Sequence, residues 1–517
     1  MATPVVARFR DPGAEAGNRR WVILLGIMAM AAVAILMFVG ASLGTLYAVV
    51  LVLGLFAVVA MVVAPIVGIV VFIGTLLLGL PAFLAGDGRL TANNLLGLLL
   101  VAVLMIQVSL SRDLWFIKTP EVILFALIGF VLVGSLMHAR HVYIPLVPPP
   151  KDFTENTLFI FGSRLVFLCM FVNFVRSKKH VLLVLLAVLV FTMAVIPSAF
   201  SNLANYKGEE DIATGKTIDT DTGKATEFRV QSDTTSWGKN ENRLAFMCNV
   251  SILLIWMFIQ IVRNRAVRVI GFGAMLIMAG LTLATASRSG FLSLGLVFLF
   301  LLFQKGVSWP FRFSVMGAMV ACGLMVLLVL PRASYERLMN YSLDQSTRPE
   351  AWRSTQSRIE TNQHALDIFL SAPVLGVGPG NFRWLHRERY PYSLAAGRPN
   401  HNSYLWAATE GGTVALGLYL VLFVIIWRQL AVAQKLYAPG DALWHVTRFL
   451  RGFFAIWIFF SLFADFWLEI HLYLIAGLTM ILLRRRFEEY PALETETEPV
   501  PVPPTPRPLA PAPAATG

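Results

Sequence analysis

Charge is what this chain has least of. Only 14% of its 517 residues are Asp, Glu, Lys or Arg, against 57% hydrophobic ones, and the mean hydropathy is +0.69. Soluble domains run nearer 25% charged, so the composition excludes a soluble globular protein and indicates an integral membrane protein. Cysteine is scarce as well. Cys169, Cys248 and Cys322 all fall inside apolar segments, which reads as buried thiols rather than disulfides or metal ligands. No HExxH and no paired cysteines occur, so neither a metal nor another cofactor is expected. The scattered acids between Asp211 and Asp221 read as solvated loop residues. Acidic residues are the minority sign, giving a net charge of +12. The basic residues nevertheless sit in short clusters between apolar segments, the pattern of membrane topology signals. No aromatic-studded basic domain is present, and nucleic acid is set aside as a partner.

What is abundant is apolar sequence in long runs. Segments near the roughly 17–25 residues needed to cross a bilayer lie at approximately 21–40, 46–64, 66–84, 95–110, 120–137, 156–175, 180–200, 243–262, 267–286, 290–303, 313–330, 402–427, 452–466 and 471–483. The expected fold is an all-α polytopic membrane protein with about 12–14 transmembrane helices and a large, partly helical polar loop. Residues 1–20 carry Arg8, Arg10, Arg19 and Arg20 with no small-residue cleavage site, which reads as a cytoplasmic tail before an uncleaved first helix. Basic clusters recur at Arg112 with Lys118, Arg176 to Lys179, Arg263 to Arg268, Lys305 with Arg312, Arg428 with Lys435, and Arg484 to Arg486. They fall on alternate loops, which marks that side as cytoplasmic. The loop 201–242, the corner 287–290 and the loop 331–403 then share the opposite face. The chain thus divides into the tail 1–20, a helical region 21–330, the large loop 331–403, closing helices 404–486 and a proline-rich tail 487–517. That last segment cannot bury a core and is expected to be a disordered cytoplasmic tail.

The polar residues on the outer face carry the chemistry. Leu375-Gly-Val-Gly-Pro-Gly-Asn-Phe382 places glycines at alternate positions. Such a run either lets backbone N–H groups approach an anion or makes a tight turn after a helix predicted over 358–371. His401-Asn402-Ser403-Tyr404 opens an apolar helix, with Asn402 or Ser403 suited to the N-cap. His401, beside a helix N-terminus that disfavours its protonated form, is suited to act as a base near neutral pH. Glu410, a few residues on, could orient a partner or pair with an arginine. Arg243 and Arg288 each mark the start of a span on this face. Arg164 lies roughly 12 Å into its helix, where pairing with Asp465 or Glu469 is expected. Arginine forks match phosphate bidentately, so Arg243, Arg288 and Arg358 could line a diphosphate pocket without a metal. A Walker loop is missing, which argues against nucleotide-sugar donors, and no nucleophile motif supports a serine hydrolase.

With these residues in view, the chain resembles the O-antigen ligase and O-antigen polymerase superfamily of bacterial envelope glycan enzymes. The likeness is strongest from Arg358 to Gly412. It rests on the order Arg358, helix, Pro373, Leu375-Gly376, Gly378, Gly380-Asn-Phe382, His401-Asn402-Ser403 and Glu410-Gly411, with Asn242-Arg243-Leu244-Ala245 and Ser287-Arg288-Ser289-Gly290 upstream. One departure is Asn362, where many relatives carry tryptophan. The resemblance implies a ligase-type domain at about 270–425 and a C-type membrane glycosyltransferase. Such an enzyme is metal-independent and inverting, and it works on the periplasmic face of the bacterial inner membrane. The donor it implies is a glycan on undecaprenyl diphosphate; the acceptor is a glycan, lipid A–core or a protein. Arg243, Arg288 and Arg358 would hold the diphosphate, Arg288 and His401 would be catalytic, and Gly376, Gly378, Gly380, Asn402 and Glu410 would shape the site. A ligase that moves a finished glycan, a polymerase that joins repeat units, and a non-enzymatic transporter of lipid-linked glycan all remain open. Polar groups clustered on one face favour the enzymes, because a transporter needs a polar path through both halves of the bilayer.

Overall fold

The computed structural model describes residues 61, 64–78, 92–111, 119–142, 151–204, 210–211, 216–218, 225–226, 240–262, 264–304, 309–329 and 349–484. The apolar runs at 21–40 and 46–64 fall almost entirely outside these residues, as does the tail 487–517. The helices are α1 (Pro65–Leu78), α2 (Ala92–Ser111), α3 (Pro120–Val142), α4 (Lys151–Phe174), α5 (Lys178–Met193), α6 (Ile196–Ala204), α7 (Glu241–Ile261), α8 (Arg265–Ala284), α9 (Arg288–Leu302), α10 (Trp309–Val329), α11 (Pro349–Ser371), α12 (Asn381–Arg389), α13 (Ser403–Leu436), α14 (Ala442–Phe460) and α15 (Ile470–Leu483). Among the described residues, six segments, Pro120–Ala139, Thr157–Phe174, Lys178–Ser201, Glu241–Ile261, Arg265–Ala284 and Ser403–Leu436, are long and apolar enough to cross a membrane. The protein is a multi-pass helical membrane protein.

Helix α7 is the hub. Its sequence is apolar all round, as a helix enclosed by other helices must be, and it packs against α5, α8, α9 and α14. Helix α13 forms a second axis, packed on α3, α11, α14 and α15. Aromatic rings fill the space between the two: Phe246 of α7 meets Phe460 at 5.1 Å and Phe466 at 4.9 Å between centroids.

One sequence expectation is corrected. Helix α14 begins at Ala442, ten residues before the apolar run at 452, because its arginines are satisfied in place. The Arg448 guanidinium stacks over Trp444 at 4.4 Å and donates to Gln304 Oε1 at 2.6 Å. Arg451 lies over Trp427 at 5.0 Å and donates to Gln434 Oε1 at 2.7 Å. Cation–π contacts and side-chain acceptors lower the cost of such charges in a helix otherwise built for lipid. The loop at 201–242 also holds three short antiparallel strands, β1 (Glu210–Asp211), β2 (Lys216–Ile218) and β3 (Ala225–Thr226), with Glu210 opposite Thr217 and Ile218 opposite Ala225.

Candidate functional site

The α8–α9 corner is built from the chain upward. Helix α8 stops at Ala284, and Ala286 then takes a positive φ of 49°, a left-handed conformation that a residue with a Cβ seldom adopts. This reversal lets Ser287 cap α9: its Oγ accepts from Gly290 N at 3.1 Å and donates to Asn242 Oδ1 at 2.6 Å. Beneath the corner, Asn249 Nδ2 donates to Gly290 O at 3.0 Å and Ser293 Oγ at 2.6 Å, and its Oδ1 accepts from Thr282 Oγ1 at 3.2 Å. A Cβ on Gly290 would stand 2.4 Å from that of Ala245, so glycine is what lets α7 and α9 close here. The result is a rigid mount for Arg288, the first residue of α9.

Helix α11 crosses in front of this mount. Arg288 Nη1 donates to Thr355 Oγ1 at 2.9 Å, and Arg358 follows nearly one turn further along α11. Between the two helices lies a cleft of about 240 Å³, lined by Asn242, Arg288, Ser289, Thr355, Arg358 and Asn362 among others. Two guanidinium groups and the positive end of the α9 dipole meet at one cleft, with hydroxyl and amide side chains between them. That combination suits a phosphate-bearing anion.

The third arginine stands elsewhere. Arg243 does not line the cleft; its Nη2 pairs with Glu469 Oε1 at 2.9 Å and Asp465 Oδ2 at 3.6 Å. The expected partner of these acids, Arg164, lies near Glu469 and Tyr473, but its Nε has no hydrogen bond. The ion pairs given to Arg164 from sequence are therefore made by Arg243, which starts α7 and reaches across to the α14–α15 connection.

His401 sits between the cleft and this ion-pair cluster. Burial does most to hold its pKa below the ordinary value; the positive charge of Arg358 adds to that, Asp465 opposes it, and Arg398 and Arg243 contribute less. A neutral imidazole is the form that can take a proton. Its position is set by the next two residues. Asn402 caps α13, its Oδ1 accepting from Tyr404 N at 3.0 Å and Leu405 N at 3.2 Å. Ser403 N donates to Ser461 O at 2.9 Å, while Ser403 Oγ donates to Ala464 O at 2.6 Å and accepts from Phe466 N at 2.7 Å. The start of α13 and the turn that carries Asp465 are thereby one unit.

The glycine loop does something other than present free amides. Gly376, Gly378 and Gly380 all have positive φ, and Gly380 caps α12. Yet Val377 N donates to Thr409 O at 2.8 Å and Gly378 N to Glu410 O at 3.0 Å, while Thr413 N donates back to Pro373 O at 2.8 Å. The loop splices into α13 where that helix breaks, at Gly412 with φ 70° and ψ −171°. Carbonyl and amide groups stranded by the break find their partners in the loop. The Glu410 carboxylate is buried near the N–H groups of Gly380 and Phe382 and the Trp406 indole, with no hydrogen bond of good geometry. No arginine forms an ion pair with it among the described residues, the nearest charge being Arg383. Thr355 and Asn242 in the cleft, and Ser403 behind His401, went unread as site residues. Only Asn242 and Ser403 carried a signal, as neighbours of Arg243 and His401.

No group of three or more His, Cys, Asp or Glu side chains that could hold a metal occurs among the described residues. Residues 273–420 match the family described as O-antigen ligase. The match runs from within α8 to within α13, so it takes in Arg288, Arg358, the glycine loop, His401 and Glu410, and leaves Arg243 outside. No curated protein matches the chain.

Proposed function

We propose that this chain, whose residues 273–420 match the family described as O-antigen ligase, is a ligase-type glycosyltransferase. It takes its glycan from undecaprenyl diphosphate at the periplasmic face of the inner membrane. The observation that carries the reading is the cleft in which Arg288 and Arg358 face the N-terminus of α9. A diphosphate leaving group gathers negative charge as the bond to the anomeric carbon breaks. Fixed guanidinium groups and a helix dipole stabilise that charge without reorganising.

The acceptor hydroxyl forms the new bond at the anomeric carbon from the opposite side, inverting it, and releases its proton to His401. The lipid diphosphate departs with the electron pair of the old bond. His401 is suited to this because burial, with the charge of Arg358 adding to it, favours its neutral form. Arg243 acts at a distance, as a positioning residue. By holding Asp465 and Glu469 it fixes the turn to which Ser403 is bonded, and so the place of His401. Asn402 sets the same backbone, and the glycine loop with Glu410 braces α11 against α13. The acceptor is a glycan, lipid A–core or a protein hydroxyl.

The test is the glycan left on the lipid carrier in cells carrying His401→Ala, with expression verified. Long chains on the carrier support the ligase. Single repeat units identify a polymerase using the same cleft. An unchanged pool of carrier-linked glycan, with full transfer to the acceptor, refutes the role of His401.

A further inference from the structure

Helix α11 belongs to the polar loop by sequence, but one side of it is apolar and uncovered. Ile359, Leu366 and Leu370 are 38%, 48% and 63% exposed, and Val374 just beyond the helix is 61% exposed. At about 100° per residue, the first three fall within a sector of roughly 40°. Thr355, Arg358 and Asn362, which line the cleft, lie on the flank immediately to one side. The exposed polar residues Arg353, Asp367 and Ser371 lie on the other. The opposite side of α11, through Ala365 and Ile368, is buried against the small core that contains Phe382, Trp384 and Leu385.

The depth of this stripe follows from the splice into α13. Val374 O accepts from Val414 N at 3.4 Å, so the C-terminal end of α11 sits level with residue 414. Trp427 and Arg428 mark where α13 leaves the apolar layer at its far end, a usual place for such residues. Val414 is about 21 Å from Arg428 along the helix axis. With a hydrocarbon core of about 30 Å, Val374 lies some 9 Å inside the near edge. Leu370 is then within the apolar layer and Leu366 at its boundary, while Gln363, the exposed polar residue within the stripe, falls at headgroup height. The stripe also has a continuation. Val414, Leu420, Val421 and Val424 form the exposed apolar row of α13, and Val374 meets the top of that row at Val414.

We infer that α11 is a re-entrant membrane helix. Its Leu366–Leu370–Val374 face is covered by the lipid of the leaflet on the side where α13 begins, and this sets the arginine cleft just outside the lipid headgroups. The contact does not depend on which reaction the cleft serves. Ile359, which lines the cleft, continues the same stripe outward from Leu366, so the cleft opens directly above the leaflet that covers Leu366, Leu370 and Val374.

The experiment places an environment-sensitive fluorophore on a single cysteine at 366, 370 or 374, in the full chain with the native cysteines replaced, reconstituted into vesicles. Val421, on the α13 lipid row, and Tyr392, 99% exposed in the loop after α12, serve as controls. Quenching by spin-labelled lipids that matches position 421, with protection from aqueous iodide, supports the inference. Iodide quenching that matches position 392 overturns it. So does protection from both quenchers accompanied by thiol cross-links between copies, since a second copy would then cover the face. Should the cysteine-free chain fail to fold, a photo-crosslinking residue at 370 in the native chain reads the same contact. Phospholipid adducts support the inference, and adducts to another copy or to none overturn it.

Discussion

Gly412→Ala and Gly417→Ala are the same substitution five residues apart on α13, and the structure assigns them opposite consequences. At Gly417 nothing lies within 4 Å of an added Cβ, the site is helical, and alanine gains about 0.8–1.0 kcal/mol in helix propensity. At Gly412 the backbone has φ 70° and ψ −171°, a region essentially confined to glycine whose occupation by another residue costs roughly 1–3 kcal/mol. The added Cβ would also stand 2.0 Å from Val374 O and 2.6 Å from Leu375 N. Both are backbone atoms, so no rotamer change relieves the clash and the glycine loop must move away from α13. That movement strains Thr413 N to Pro373 O, Val377 N to Thr409 O and Gly378 N to Glu410 O, each worth about 1 kcal/mol net. The total loss expected for Gly412→Ala is about 3–5 kcal/mol, mainly in the docking of α11 and α12. The assay is thermal denaturation of both variants in one detergent, followed by limited proteolysis between 371 and 403. Gly412→Ala should melt well below the parent and open early to protease, while Gly417→Ala should melt at or slightly above it. Equal melting points and equal protease resistance would refute the claim that the loop is spliced into the α13 break.

Three further outcomes follow from the cleft and its neighbours. Arg288→Ala should lower the transfer rate about 10²–10³-fold, the usual cost of one charge-stabilising donor, with expression intact because the side chain is mounted on a corner held by Ser287 and Asn249; normal transfer by purified enzyme would remove it from the mechanism. On the proposed role of His401 as the base, with its pKa held below the ordinary 6.5, activity should stay flat above pH 6.5 and fall only below it. Arg358→Gln removes a positive neighbour, raises that pKa and should move the acid limb of the pH–rate profile upward; an unmoved limb would break the link between the two residues. On α11 and α12, His364 Nδ1 and His386 Nε2 are 3.1 Å apart, and burial holds both pKa values low, with His364 adding its charge against His386. Groups with depressed folded pKa bind more protons when unfolded at pH below 6.5, so the stability of this unit should be full above 6.5 and decline below it, as melting curves from pH 8 to pH 5 of parent and His364→Gln would show.

The membrane character, most of the helices and the two arginines of the cleft, Arg288 and Arg358, were legible from sequence, because each shows itself locally. A lipid-crossing helix needs an apolar run, and an arginine at the end of such a run stands out against it. What stayed hidden depends on partners far along the chain. Arg164 was read as the mate of Asp465 and Glu469 in place of Arg243, since nothing in the sequence says that α7 starts opposite the α14–α15 turn. The start of α14 was missed for a related reason: Arg448 and Arg451 argue against a helix facing lipid until Trp444, Gln304, Trp427 and Gln434 are seen to satisfy them.

The glycine loop shows how a correct motif can lead to the wrong partner. Alternating glycines do signal close backbone approach, but what approaches is the α13 backbone, and the evidence for that is one glycine in a helix that otherwise reads as unbroken. The break makes the site possible. An unbroken α13 would satisfy its own carbonyls at 409 and 410 and offer the loop nothing to bind, and α11 would then have no anchor within the apolar layer. With the break, Thr409 and Glu410 carbonyls hold the loop, the loop holds α11, and Arg358 is carried to the cleft that Arg288 lines. The strain at Gly412 and the placement of Arg358 are therefore coupled. Gly412→Ala should lower transfer even at temperatures where the variant remains folded, and a raised donor KM alongside a reduced kcat is the signature expected of a displaced arginine.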